Sequence, residues 1–200
     1  MERLYIYIMK RNLLIAILLL GTTIAYAQKP TLSLNENSRY IYYEVVNVPT
    51  FSADSLTRNA VNFIKAAYSK NESKQITDTL ISVKDKFLNY SAVIKHENGE
   101  MDYVLNIQCK DGRYRYWITD FVFIPYQRNR YGVFVPTPGI YIPLETAKAK
   151  LDKKDVEGYL NQTSTACKLL SDKLKQYMIT GPNPKKTDQQ LIKKIVTDKW

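Results

Sequence analysis

His96 is the only histidine in the chain, and this limits the chemistry the protein can perform. A serine or cysteine nucleophile needs a neighbouring base to take its proton, and that base is usually histidine. His96 falls beside a predicted hairpin tip, where water surrounds it, so no nucleophile–base pair is expected. Common zinc sites need three or four nitrogen or sulfur ligands. Cys109, Cys167 and His96 are too few and too scattered to supply them. Glu97, Glu100 and Asp102 cluster near the same predicted turn. They could hold calcium loosely or act as an acid/base pair, but a charged, solvated hairpin tip is the plainer reading. A retaining glycosidase would need two carboxyls about 5–5.5 Å apart, and nothing in the sequence demonstrates such a pair. The seven glycines are dispersed, so no phosphate-cradling loop is present. No catalytic residue, metal site or cofactor is expected.

The stronger signal is the run Arg113-Tyr114-Arg115-Tyr116-Trp117-Ile118. It opens a long predicted strand, 113–124, that ends at Pro125. Side chains alternate across a strand. If Tyr114, Tyr116 and Ile118 face the core, then Arg113, Arg115, Trp117, Thr119, Phe121 and Phe123 face the other way. With Leu88, Tyr90, Ile94, Tyr103, Leu105 and Ile107 packed under helices, the outward face also receives Tyr40, Tyr42, Glu44, Val104, Asn106 and Gln108. Arginine and aromatic anchors with amides suit recognition. The candidate binding residues are therefore Tyr42, Arg113, Arg115, Trp117 and Phe121. The alternative is that 125–145 folds over this face and turns it into a second core. A bulge in the long strand would shift the parity and change the set.

The elements that must carry this face are readable in order. Residues 40–48 are rich in β-branched and aromatic types and stop at Pro49, which predicts a strand. Ser52 is a helix N-cap with Asp54 in the first turn. Leu56, Ala60, Phe63, Ile64, Ala67 and Tyr68 then recur at helical spacing, predicting a helix over 53–68. A weak strand over 76–83 precedes two alternating strands, 87–96 and 101–110. Glu97-Asn98-Gly99-Glu100 is the predicted type I′ hairpin between them, and Asp111-Gly112 is a second turn of that kind. Residues 125–145 carry four prolines among apolar side chains and read as an ordered loop with a short edge hairpin. A helix over 152–178 follows, with a stripe from Val156 to Met178, and Gly181-Pro182 ends it. The fold class is α+β: a curved antiparallel sheet of about five strands with helices on one face. Cys109 and Cys167 both fall on core positions. They either form one disulfide or remain two buried thiols.

Lys10 and Arg11 precede an uncharged run, Leu13–Ala27, whose end Ala25-Tyr26-Ala27 is a small-x-small site. This order is that of a cleavable signal peptide, residues 1–27, with Gln28 as the first mature residue. The run is short of the roughly 20 residues a membrane span needs. An uncleaved anchor is the rival reading, and Met9 is an alternative start. Residues 28–39 are a flexible lead-in, 40–180 a single domain and 181–200 a basic tail. The destination is the periplasm or the cell surface, an oxidising environment. The net charge of +10 is concentrated late in the chain. It reads as a lysine-rich solvated helix face, with peripheral contact to an anionic membrane through the tail as a second meaning. Export argues against nucleic acid as a partner. Tyrosine is abundant, at 16 residues, and suits both strands and binding surfaces.

Two patches resemble a known family. One is Tyr43-Glu44-Val45-Val46-Asn47-Val48 with the Ser52/Leu56 helix start. The other is Tyr103-Val104-Leu105-Asn106-Ile107 followed by Lys110-Asp111-Gly112-Arg113-Tyr114-Arg115-Tyr116. In this order and spacing they resemble the exported bacterial family called domain of unknown function 4468, with its TATA-binding-protein-like fold. The resemblance spans about 40–124 and implies a curved antiparallel sheet with helices on one face. It implies no activity, and a fold name does not fix function. The leading expectation is an exported, non-enzymatic binding module whose partner is a protein or an envelope polymer. The alternatives are an envelope structural or assembly component, and a hydrolase with an unrecognised carboxylate site. Cleavage after Ala27 predicts that the exported protein begins at Gln28. Intact-mass measurement checks this; a mass retaining residues 1–27 would identify an anchor instead.

Overall fold

The phase of each strand is set by which of its alternate residues can be buried under a helix, and two long strands fix that phase for the whole sheet. The protein is described here by a computed structural model, which covers residues 32–69, 74–77, 80–90 and 97–181. The expected signal peptide, Ile94, His96 and the tail beyond Gly181 lie outside the described residues.

The elements in chain order are β1 (Ser33–Leu34), β2 (Tyr40–Asn47), α1 (Ala53–Ala67), β3 (Lys74–Ile76), β4 (Ile81–Tyr90), β5 (Glu97–Lys110) and β6 (Arg113–Arg128). They continue with β7 (Phe134–Pro136), β8 (Ile142–Pro143), a 3-10 helix (Leu144–Ala149) and α2 (Lys153–Thr180). The sheet order is β1-β2-β6-β5-β4-β3, with β7 and β8 also on β6. Every pairing is antiparallel. The α+β class is as expected. Among the described residues the sheet has eight strands rather than about five, because β1, β3, β7 and β8 are only two or three residues long and escape a sequence reading.

Helix α1 begins where the sequence predicts. Ser52 Oγ accepts a hydrogen bond from the Ser55 amide at 3.3 Å. A second cap comes from outside the helix: Asp111, in the β5–β6 turn, accepts from the Ala53 amide at 2.7 Å. Gly112 in that turn has φ +71°, which glycine adopts without a Cβ penalty. Its amide donates to the Phe51 carbonyl at 2.9 Å, and its carbonyl accepts from the Val48 amide at 2.8 Å. The Asp-Gly turn thus clamps the β2–α1 connection. Helix α2 buries Val156, Tyr159, Thr163, Cys167, Leu174 and Met178 along one stripe. It ends at Gly181 with φ +69°. The helices are tied where Asn59 Nδ2 donates to the Met178 carbonyl at 2.9 Å. Beneath them lie Met101, Tyr103, Leu105, Ile107, Tyr114, Tyr116 and Ile118, all essentially inaccessible.

β4 departs from the expected phase. Ile81 and Val83 are buried opposite Ile107 and Leu105. This sends odd-numbered residues inward and leaves Leu88 and Tyr90 nearly half exposed, although the sequence placed both in the core. The apolar residues of this strand occupy both faces, so alternation alone selects the wrong one. The expected Asn98-Gly99 turn is also absent: both residues lie within β5, with Gly99 opposite Pro125.

β6 contains the bulge that changes the candidate face. Asp102 pairs with Val122, but Val104 pairs with Thr119, so β6 carries one extra residue over this stretch. Asp120 absorbs it in the left-handed region at φ 56°, which aspartate tolerates better than most residues. Before the bulge, Tyr114, Tyr116 and Ile118 point to the helices; after it, Phe121 and Phe123 do.

The proline-rich segment does not roof the Tyr43–Arg115 part of the opposite face, although its Tyr126 lies against the buried Glu100 at the other end. β7 pairs with the end of β6, and β8 pairs with Val122 and Phe123. β8 thereby takes the edge of β6 beyond Ile118, where β2 stops. Pro136 and Pro143 lie in these short outer strands, positions where a missing amide donor is tolerated.

The two cysteines are free thiols, so the disulfide alternative is not realised. Cys167 is fully buried on α2. Cys109 is half-buried on β5; burial pushes its thiol up to about 11 despite an opposing hydrogen bond with Thr57. Burial also raises Cys167. Both therefore resist ionisation and behave as small apolar groups.

Gly99 is required by packing. A Cβ there would sit 2.4 Å from Phe123 Cε2 and 2.7 Å from the Ile124 carbonyl oxygen. Gly99→Ala is expected to destabilise by about 1–3 kcal/mol, the range for overpacking a filled core, read as a lowered thermal midpoint. An unchanged midpoint would mean that β5 and β6 part easily here.

Candidate binding face of the sheet

The face away from the helices is assembled by cross-strand pairing of β2, β6 and β5. Tyr43 is opposite Trp117, and Val45 opposite Arg115. On the other side of β6, Arg115 is opposite Gln108, and Arg113 opposite Lys110. Tyr43 and Val45 are about half exposed, Arg113 and Arg115 are exposed, and Trp117 is partly buried. The Arg115 Nε–H donates to Gln108 Oε1 at 2.8 Å. Its guanidinium carbon lies 5.5 Å from the centroid of the Trp117 ring, within cation–π range. A hollow of about 220 Å³ forms between Tyr43, Val45, Gln108, Lys110, Arg113 and Arg115. A shallower hollow shares Tyr43 and Arg115 and continues to Leu34, Glu36, Ile41 and Trp117.

Of the five residues selected from the sequence, the structure brings Arg113, Arg115 and Trp117 together on this face. Phe121 is not with them: the Asp120 bulge reverses the parity and buries it completely. Tyr42 also faces the helices, where it packs against the core. Its place on the open side is taken by Tyr43. β2 has apolar or aromatic residues on both faces, so its phase follows only from the Tyr43–Trp117 pairing. Tyr43, Val45 and Lys110 are the members that the sequence reading missed.

The other end of the open face is electrically closed. Lys84 Nζ lies 3.0 Å from Asp102 Oδ2, and Lys86 Nζ lies 2.7 Å from Glu100 Oε2. The Tyr126 hydroxyl also donates to Glu100 Oε2 at 2.9 Å. Burial first, then the Glu100 carboxylate, pushes the Tyr126 phenol up to about 12. The acidic cluster is therefore not a free hairpin tip: Glu100 and Asp102 sit within β5, and each is held by a lysine.

The inner face has its own polar constellation at Glu44. Glu44 accepts hydrogen bonds from the Tyr116 hydroxyl and from Ser171 Oγ, the latter at 3.3 Å, and pairs with Lys175. Burial opposes ionisation of Glu44, but Lys175, Tyr116 and Ser171 outweigh it and hold the carboxyl below its usual 4.5. Serine, tyrosine, lysine and carboxylate could suggest catalysis. However, Ser171 and Tyr116 are wholly inaccessible, so no substrate reaches their oxygens. The cluster fastens β2 to α2.

Residues 42–124 match the family described as domain of unknown function (DUF4468) with TBP-like fold. A crystal structure of a TBP-like protein from Parabacteroides distasonis is similar, with a TM-score of 0.55 and 18% identity, covering 72% of this chain and 96% of that one. A DUF4468 family protein from Bacteroides ovatus is similar with a TM-score of 0.51 and 11% identity, covering 77% of this chain and 92% of that one. No curated protein matches the chain.

The depressed carboxyl gives Glu44 a pH signature. Its stabilisation is fully present above the unfolded value near 4.5 and is lost as pH falls through the lower folded value. Glu44→Gln is expected to lower the thermal midpoint at pH 7 and to flatten its fall as pH drops below the usual carboxyl value of 4.5. An unaltered pH profile would assign the acid sensitivity to other carboxylates.

Proposed function

We propose, from the premise that residues 42–124 carry a DUF4468 domain with a TBP-like fold, that the protein is an exported, non-enzymatic binding module. Its working surface is the open face of the sheet, and its setting is the periplasm or the cell surface. One observation carries the reading: Tyr43, Arg115 and Trp117 lie side by side on a sheet face that neither the helices nor the 125–145 segment covers. Tyrosine, tryptophan and arginine are the types that dominate binding energy at interfaces. Arg115 is already held by Gln108 and Trp117, so less side-chain freedom is lost when a partner docks. The signal-peptide pattern read in residues 1–27 of the sequence supports the setting.

The acidic cluster favours binding over hydrolysis. A carboxylate catalyst needs one group free to give a proton and another free to attack or to take one. Here Glu100 and Asp102 are each engaged by lysine.

Capture from an envelope extract on immobilised protein tests the reading. Trp117→Ala and Arg115→Ala are each expected to weaken capture about tenfold or more, as hot-spot truncations do. Lys173→Ala, exposed on α2, should leave capture unchanged. Undiminished capture by both face variants would remove this surface from the function.

A further inference from the structure

The hollow beside Arg115 has an electrostatic imbalance that the rest of the open face lacks. Lys110 and Arg113 stand directly opposite each other across β5 and β6. Like charges in that relation repel and destabilise a sheet. Arg115 adds a third positive group to the same hollow. Among the described residues no carboxylate forms an ion pair with Lys110, Arg113 or Arg115. Glu36 lines only the neighbouring hollow, and Glu44 is on the opposite side of the sheet, occupied by Lys175. About 26 Å or more of strand away, given about 3.3 Å of rise per residue between Lys110 and Asp102 or Glu100, the same face neutralises its lysines one by one.

The orientation of Arg115 adds a geometric argument. Its Nε–H is consumed by Gln108, and its guanidinium carbon lies over the Trp117 ring. The terminal Nη pair remains, and these two parallel donors match the two oxygens of a carboxylate or phosphate. Tyr43 and Val45 form an apolar wall beside them.

We propose that this hollow is an oxyanion site. Arg115 binds a carboxylate or phosphate end-on, Arg113 and Lys110 supply long-range attraction, and the apolar body of the ligand rests on Tyr43 and Val45. The proposal rests on the open face being the working surface and names the chemistry that surface takes.

Calorimetric titration of the full exported chain with benzoate, phenyl phosphate and uncharged benzyl alcohol, at constant ionic strength, tests it. Benzoate or phenyl phosphate is expected to bind saturably, and benzyl alcohol at least tenfold more weakly. Arg115→Gln should lower anion affinity about tenfold or more. Arg115→Lys, which keeps the charge but loses the fork, should recover little of it. Preference for benzoate identifies a carboxylate source, such as an acidic sugar or a peptide terminus; preference for phenyl phosphate identifies a phosphorylated one. Equal binding of benzyl alcohol, wild-type affinity in Arg115→Gln, or no binding of either anion overturns the proposal. If capture still depends on Trp117 while no anion binds, only the oxyanion assignment falls. If neither holds, the open face itself is excluded.

Discussion

At Asp120 the backbone of β6 passes through the left-handed region, and the sheet depends on that one residue of extra length. β6 carries β2, β5, β7 and β8, so any change in its phase is inherited by the strands beside it. A regular sixteen-residue strand would have kept Phe121 and Phe123 on the side of Arg115. They would then have exposed two large rings, while the outer part of the core lost its filling. The bulge returns both to the helical side. It falls where the edge partner of β6 changes from β2 to β8, the point at which an irregular ladder interrupts least. Arg39 secures the distortion with an ion pair to Asp120 at 2.7 Å. That pair is exposed and contributes little by itself; the buried phenylalanines supply most of the gain.

The two faces solve different physical problems. The inner face is crowded with tyrosines whose rings are buried and whose hydroxyls need partners. Tyr68 and Tyr103 satisfy each other at 3.2 Å, Tyr116 uses Ser171 and Glu44, and Tyr159 accepts from Asn98 at 2.8 Å. Burial pushes the Tyr68 phenol up to about 12 and raises Tyr103 further, so both stay neutral donors and acceptors. Glu44 is the charged member of this layer, and Lys175 reaches down from α2 to meet it. The helices are thus held by hydroxyl contacts as well as apolar area, although the buried Tyr114 hydroxyl has no hydrogen-bond partner among the described residues.

Much of this was legible in the residues. The Ser52 cap, the stripes of both helices and the place of the Asp111-Gly112 turn follow from local rules, and the structure keeps them, although the turn is not the expected type I′ because only Gly112 takes a positive φ. The order of strands and helices was enough to suggest the family fold. What failed was parity. Tyr42 against Tyr43, and Leu88 against Asn89, are decided by register with β6 and β5, and β2 and β4 are apolar enough on both sides to hide it. Phe121 was displaced by a bulge whose only local trace is an aspartate in an otherwise β-forming run. Gly99 looked like a turn residue because Asn-Gly is a strong hairpin signal. Its actual role, letting Phe123 pass within contact of the backbone, appears only when β6 is laid beside β5.

The open face is best understood by what a solvated sheet face does not require. An antiparallel sheet with one wet side ordinarily turns polar residues outward, as Lys84, Lys86, Asp102 and Gln108 do here. Nothing in that demand calls for Trp117, Tyr43 and Val45 in one cluster, and their exposure forgoes the favourable transfer of apolar area from water. Nor does solubility call for Lys110 directly opposite Arg113, since charges of mixed sign would serve better and repel less. Both costs coincide in one region; at the far end Leu88 and Tyr90 are also about half exposed, but there lysines and carboxylates neutralise each other. A surface that concentrates unshielded positive charge against exposed rings is stabilised when an anion with an apolar body covers it. The features that cost stability in isolation are therefore the ones that would contribute on binding.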